Sequence, residues 1–289
     1  SGLTEVVNLS PYITPNEDFY RIDTALSVPM LDPEAWSLSV EGLVENPYRL
    51  TFTGLLDMDL IERTVTLCCV SNEVGGSLVG NATWTGVPLQ DVLGPAEPLP
   101  GGEQVMARSV DGFTAGFPIE QVSDGRTALL AIGMNGKPLP IIHGFPARLV
   151  VAGLYGYVSA VKWLDSIKVT TWEDNNGYWI PRGWAKEAPI KIASRIDVPK
   201  LRRLKAGMQP VAGVAWSPTE GVARVEVSVD KGPWQTCELG DTIGGETWVQ
   251  WLYRWEAKPG HHELTVRAVG IDGAVQPSRS VSPAPNGAE

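Results

Sequence analysis

The chain is poor in the residues that most often do chemistry. Its 289 residues include only three cysteines and three histidines. Three cysteines, two of them adjacent (Cys68 and Cys69), cannot build a disulfide framework. No Cys-x-x-Cys pair or His/Cys spacing suggests zinc, and there is no Cys-x-x-Cys-His haem motif. No stretch approaches the ~20 apolar residues of a membrane span. The N-terminus lacks the basic and apolar regions of a signal peptide. Ser1-Gly2 reads as a cloning remnant, so the natural chain is expected to begin upstream. Positive charge is scarce as well: 23 Lys/Arg against 33 Asp/Glu, net −10, which argues against nucleic acid as a partner.

What is there points to a globular protein of two domains. Hydrophobic residues make up 43% and charged residues 19% of the chain, enough apolar material for real cores. The charge is unevenly spread. Residues 1–136 carry 5 Lys/Arg and 18 Asp/Glu, residues 137–205 carry 12 and 5, and the remainder 6 and 10. A basic island in an acidic chain suggests an anionic ligand; the plainer reading is a solvated basic linker, which fits Lys200 to Lys205.

The two halves read differently. Up to Glu187, short strands mix with short helices. Trp36–Glu41 alternates as a half-buried strand should. Thr64–Val70, Leu129–Met134 and Ala147–Ala152 are β-rich, the last two apolar enough to be central strands, and another strand begins within Val161–Thr171. Gly86–Leu93 reads as a Pro-started short helix. Beyond Ala188 the pattern is all β: Val211–Trp216, Ala223–Asp230, Trp248–Trp255 and Glu263–Ile271, with turns at Asp230–Pro233 and Lys258–Gly260. That spacing predicts an immunoglobulin-like sandwich. Trp251, Tyr253 and Trp255 share one strand face and are expected to pack. His261 and His262 read as turn residues.

Three patches of the first half carry candidate chemistry. The run Thr66–Gly76 delivers a cysteine into a turn rich in Gly, Ser and Asn, as a thiolate at a pocket mouth would be presented. Asn135–Arg148 contains His143-Gly-Phe-Pro-Ala-Arg148, where Gly144 and Pro146 make a rigid turn between a histidine and an arginine. Tyr155–Trp163 contains Lys162. Arginine offers a fork suited to phosphate, and lysine adds a point charge. Each alone has a bland explanation: a core histidine, a structural arginine, a snorkelling lysine. Together, inside the basic island, they look like an anion cradle.

These residues resemble the sulfite oxidase family of molybdopterin enzymes along nearly the whole chain. The likeness rests on Phe19-Tyr-Arg-Ile-Asp23, Cys69-Val-Ser-Asn72, Gly80–Leu89, Met134–Pro140, His143–Arg148 and Val161-Lys-Trp163. In the second half it rests on Gly213–Trp216, Val225–Asp230, Pro233-Trp234 and Val266–Ala268, which resemble the family's dimerisation domain. The Cys-Val-Ser-Asn-Glu-Val-Gly-Gly run and Gly183–Lys191 are most similar to membrane-associated bacterial members.

The resemblance implies an α+β fold: a mixed α/β molybdopterin-binding domain over 1–187, then an all-β immunoglobulin-like dimerisation domain over 188–289. It implies a molybdenum-molybdopterin cofactor with Cys69 as the protein's metal ligand, a role for which a soft thiolate suits a metal already bound by dithiolene sulfur. Cys68 would point the other way as a small buried hydrophobe. Phe19, Tyr20, Arg21, Ile22, Asp23, Asn72, Asp111, His143, Arg148, Ala160, Val161 and Lys162 match cofactor-binding positions, with Arg21 near the metal. Trp184 is the nearest match to the family's active-site tyrosine.

The expected activity is oxygen-atom transfer on a small S- or N-containing substrate, either sulfite oxidation or reduction of a sulfoxide or N-oxide. Two departures bear on the choice. The family's Arg-Asn-His in the N-terminal loop is here Arg21-Ile22-Asp23. The position of a sulfite-binding arginine is Val74, and an oxyanion in a dry pocket needs such a cation. Electrons would go to or come from a separate one-electron carrier such as a cytochrome. The family pattern also implies a homodimer, a tether to membrane through a segment outside this chain, and a place on the extracytoplasmic side of a bacterial membrane. Two other readings are a metal-free module that keeps the fold and a cysteine hydrolase using Cys69 and His143. The retained Cys69, His143, Arg148 and Lys162 argue against the module. Nothing at recognisable spacing orients the histidine for the hydrolase.

Overall fold

The computed structural model describes residues 3, 5–200 and 204–289. The basic cluster read as a linker lies partly outside them, at 201–203.

Two sheets build the first unit. One is all antiparallel. Ile61–Cys68 pairs Val79–Pro88, which pairs Ala128–Met134, and this last strand also takes Arg148–Val151 and the short Lys137–Pro138. The other sheet runs Tyr48–Thr51, Ser37–Gly42, Leu164–Thr170, Gln104–Ser109 and Thr114–Pro118, with one parallel pairing between Ser37–Gly42 and Leu164–Thr170. Helices are single turns. Leu89–Leu93 follows Pro88, so the expected helix over 86–93 is shorter at its start, because Gly86–Pro88 stay in the sheet.

Arg148–Val151 is fully buried, as its apolar run predicts, yet it is not a central strand. It pairs one neighbour only, and the Val161 carbonyl accepts the Leu149 N–H at 2.9 Å on the other side. Burial on both faces came from covering loops rather than from two flanking strands, a difference that hydrophobic runs do not encode.

The second unit is a sandwich of a four-stranded and a three-stranded sheet, led by Ala193–Val198. Val211, Val225, Val227, Trp251 and Ala268 fill its core, and the partly buried Tyr253 and Trp255 pack against them. The 3.3 Å-rise alternation of strands explains this: every second residue of Val249–Ala257 faces inward. At the hairpin after Val222–Val229, Asp230 and Lys231 both take positive φ, 54° and 60°, and the Asp230 carboxylate pairs with His262 at 2.7 Å.

The two units share an interior. Trp216 and Trp248 of the sandwich join the main core of the first unit. The Thr66 hydroxyl accepts the Trp248 N–H at 2.7 Å and donates to Asn81. The N-terminal segment, assigned to the first unit from sequence, runs along the sandwich instead. Leu3 packs on Val198, Ala212 and Leu252, and the Ser10 carbonyl accepts from Gln250 at 2.7 Å.

Candidate active site

The loop 69–78 joins two antiparallel strands whose last register pair is Cys68 and Val79. Strand alternation sends the two cysteines opposite ways. Cys68 is buried in the main core, where burial pushes its thiol far up. Cys69 is half-buried and lines an open-mouthed cavity of about 170 Å³. That is far above the ~10–15 Å³ that houses one water, so the space suits a ligand. Burial raises the Cys69 thiol, and Ser71, through its backbone and its side chain, pulls the other way. The loop is tied internally: Asn72 N–H donates to the Cys69 carbonyl at 3.0 Å, and the Asn72 side-chain oxygen accepts the Leu78 N–H at 2.8 Å.

The spacing between His143–Arg148 and Val161–Trp163 is explained by how the two segments are laced. The Trp163 N–H donates to the Gly144 carbonyl at 3.3 Å and the Leu164 N–H to the Ala147 carbonyl at 3.1 Å. Gly144 takes φ +115°, and a Cβ there would sit 3.0 Å from the Lys162 Cβ and 3.1 Å from the Arg148 Cβ. Glycine therefore lets both cations approach one turn.

Arg148 is the decisive group. It is only 5% exposed, and its hydrogen bonds go to three neutral carbonyls, of Leu149, His143 and Ala160. Its guanidinium also lies 4.9 Å from the centre of the Trp84 ring. Among the described residues no carboxylate pairs with it. Burial pulls it down to about 10. A buried charge without a counter-charge is expensive, so an anion is the group this site is built to receive. Lys162 lines the same cavity in contact with Asp23, which Arg21 also meets. Burial first and the Arg21 guanidinium second pull Lys162 down to about 7. His143 is buried and lowered by desolvation. Its Nε2 stands 2.8 Å from the Asn16 carbonyl, which only accepts, so the proton sits on Nε2.

Of the residues singled out from sequence, Phe19, Tyr20, Ile22, Asp23, Cys69, Asp111, His143, Arg148, Ala160, Lys162 and Trp184 line this one cavity. Three are not brought to it. Arg21 projects outward onto Asp23, Asn72 spends its amide closing the loop, and Val161 turns its side chain into the main core. Phe19 reaches its place because Gly80 leaves room; a Cβ there would come within 2.6 Å of the ring.

Sequence reasoning missed an aromatic wall. Phe113, Tyr157 and Trp179 join Trp184 around the cavity. Trp184 lies 5.7 Å from Tyr157 and 6.3 Å from Trp179, and Phe113 lies 5.9 Å from Tyr178. The Tyr157 hydroxyl donates to the Ala185 carbonyl at 2.7 Å, which fixes the loop carrying Trp184. The density of Trp and Tyr over 178–184 was the available signal. A larger cleft of about 510 Å³ between the units sets Arg126 and Lys186 among Glu120, Glu187 and Glu220, without a thiol, and gathers none of the candidate residues.

Comparison with known proteins agrees with this geometry. Residues 25–179 match the oxidoreductase molybdopterin binding domain. Human mitochondrial sulfite oxidase is 30% identical over 92% of this chain and 57% of its own length. The chain belongs to the sulfite oxidase family of molybdopterin oxidoreductases. Sulfite oxidase of Arabidopsis thaliana is 29% identical over 84% of this chain and 70% of that protein. Among solved structures, the sulfane dehydrogenase SoxCD of Paracoccus pantotrophus superposes with a TM-score of 0.82 and 26% identity, over 93% of this chain and 75% of that one. The α+β fold with a β-sandwich is that of the family, and its members are oxidoreductases carrying molybdenum-molybdopterin.

The residues present fit that group. The uncompensated Arg148, with Lys162 beside it, suits an anionic moiety. Among the described residues no three His, Cys, Asp or Glu converge on a metal position, so a metal beside Cys69 would draw its other donors from the cofactor. No helix among the described residues is long and apolar enough to cross a membrane.

Proposed function

We propose that this family member removes an oxygen atom from a small, uncharged S- or N-oxide, with sulfite oxidation as the second reading. The observation that carries the choice is the cavity's division of charge. Its cations, Arg148 and Lys162, lie on the segments expected to bind the cofactor. Elsewhere the lining is Phe113, Tyr157, Trp179 and Trp184, with Ser71, Ser109 and the Asp111 carboxylate beside them. Aromatic rings favour an organic substituent over an oxyanion, which would stand unpaired in such surroundings. Sulfite is favoured by the relatives named sulfite oxidase, at 30% identity over 92% of this chain.

Bound molybdenum-molybdopterin supplies two-electron redox chemistry and oxygen-atom exchange. The chain's part is placement. Arg148 and Lys162 would hold the anionic end of the cofactor, and the Cys69 thiolate would be the soft donor that the protein offers the metal. The His143 imidazole stays neutral and lends its Nε2 proton to the Asn16 carbonyl rather than to the reaction. The aromatic wall orients the substrate and excludes water, which strengthens every polar contact inside. A separate one-electron carrier such as a cytochrome would complete turnover.

The test is a substrate screen on molybdenum-loaded protein with an artificial electron mediator, comparing sulfite with alkyl and aryl sulfoxides and with amine N-oxides. Turnover of the oxides above sulfite is expected. Sulfite turnover alone would hand the choice to the second reading, and no turnover with full metal would count against both.

A further inference from the structure

The loop that carries Cys69 is ten residues long, from Cys69 to Leu78, between strands paired as far as Cys68 and Val79. Two-residue hairpin turns specify their own geometry, but a loop of this length must be held by something else. Inside, it has the Asn72 bonds and a Gly76 N–H to Glu73 carbonyl bond of 2.8 Å. Val70 is buried and anchors its start. Among the described residues, one hydrogen bond ties residues 70–77 to the rest of the protein: Arg195 Nη1 donates to the Gly76 carbonyl at 2.8 Å.

Arg195 is not part of the first unit. It sits on Ala193–Val198, the first strand of the sandwich. Its fork is used in three directions. Nε donates to Asp197 Oδ1 at 2.7 Å, Nη2 donates to the Ser10 hydroxyl at 2.9 Å, and Nη1 reaches Gly76. The Ser10 N–H closes the circuit on Asp197 Oδ2 at 3.1 Å. Side-chain exposure is 12% for Arg195 and 8% for Asp197, so the pair is held rather than solvated. The backbone is held too: a Cβ on Gly213 of the next strand would come within 1.8 Å of the Arg195 carbonyl oxygen.

We infer that Arg195 is a positioning residue for the Cys69 thiolate, through which the sandwich and the N-terminal segment set the direction of the metal ligand. The inference rests on the reading of Cys69 as that ligand. Donor placement in a working site must hold within about half an ångström, and a planar guanidinium bonded three ways does this where a single ammonium does not. The sandwich thereby acquires a role inside the catalytic unit besides association.

Two readouts test it without relying on turnover. The first is the alkylation rate of Cys69 in cofactor-free protein, followed by peptide mass spectrometry, with Cys237 in the sandwich core as internal reference. Arg195→Gln should speed Cys69 alkylation about tenfold, the scale set by losing a charged hydrogen bond, with Cys237 unchanged. Arg195→Lys should behave like Arg195→Gln. If the glutamine variant does not fold, as an altered Cys237 rate would reveal, Ser10→Ala removes one partner and should give a smaller acceleration. The second readout is the electron paramagnetic resonance signature of the reduced metal in loaded protein, which should shift in Arg195→Gln. Unchanged Cys69 alkylation and an unchanged spectrum in folded Arg195→Gln would overturn the inference. Faster alkylation, with the spectrum unaltered in both Arg195→Gln and Cys69→Ser, would instead overturn the ligand reading beneath it.

Discussion

The cavity has two sides built on opposite principles. On one, Arg148 and Lys162 come from a rigid turn and from segments laced to it by backbone bonds. Arg148 is buried and meets only neutral carbonyls, and Lys162 is partly buried. On the other, Phe113, Tyr157, Trp179 and Trp184 stand on loops and single-turn helices and are only partly buried. At Arg148 the first side keeps a cost of desolvation that a bound anion would offset, which is how a protein commits to one ligand group. The second makes contacts of shape and apolar area, which loop changes can retune. On the proposed function, the first side would take the cofactor and the second the substrate.

The largest expected effect tests the first side. Arg148→Met should lower cofactor retention roughly a hundredfold, the scale for leaving a buried charge unpaired, read as molybdenum and pterin content. The cofactor-free protein should melt at the same temperature or higher. Desolvating the guanidinium costs several kcal/mol, and two of the three carbonyls it leaves, on His143 and Ala160, belong to residues lining the cavity. A clear drop in the melting temperature of the cofactor-free variant would mean that Arg148 is structural.

The second effect is one of pH. Lys162 is pulled down to about 7, below the ordinary lysine value of 10.5. Between those values the unfolded chain carries the proton and the folded, cofactor-free chain does not. Stability of the cofactor-free protein therefore rises with pH across that window and bears the full penalty below it. An anion placed beside Lys162 restores the proton, so binding takes one up. Cofactor loading should weaken as pH rises from about 7 to about 9, by at most about tenfold per unit. Calorimetry in two buffers of different ionisation enthalpy measures the proton. Loading that is flat with pH, with no proton taken up, would remove Lys162 from the anionic side.

Trp184→Ala tests the second side. Cofactor content should stay whole while kcat/KM for an organic oxide falls about tenfold, in line with losing one large apolar contact to substrate. Loss of cofactor instead would mean that the wall serves both ligands.

The two sides also differ in how far the sequence disclosed them. His143, Arg148 and Lys162 were legible because a turn needs Gly144 at positive φ and because they lie in a basic island of an otherwise acidic chain. Cys69 was told from Cys68 through the resemblance; strand alternation adds only that the two point opposite ways. Trp184 was reached only through resemblance, and Phe113, Tyr157 and Trp179 were not reached at all. They come from separate loops, and whether an aromatic ring faces a cavity or a core depends on tertiary placement rather than on local period. Trp251 shows the other outcome: it has the same chemistry, and it is wholly buried in the sandwich. Arg195 was hidden for a related reason, since its partners Ser10 and Gly76 lie 185 and 119 residues away in the chain.

The smallest expected effect concerns Val74, whose place in the sequence is that of a sulfite-binding arginine. In the structure Val74 is 51% exposed. It lines a crevice of about 20 Å³ with Cys68, Lys191 and Glu289, behind the loop rather than in the cavity that Cys69 lines. An arginine placed there would find the Glu289 carboxylate nearby and would be drawn away from the substrate side. Val74→Arg should thus leave stability within about 0.5 kcal/mol, as exposed substitutions usually do, and should leave the sulfite rate within about twofold of the parent, well short of the hundredfold or so that one well-aimed donor is worth. A tenfold gain in kcat/KM for sulfite would show that the loop turns this position into the cavity when the cofactor is bound, and the substrate side would then be no purely aromatic wall.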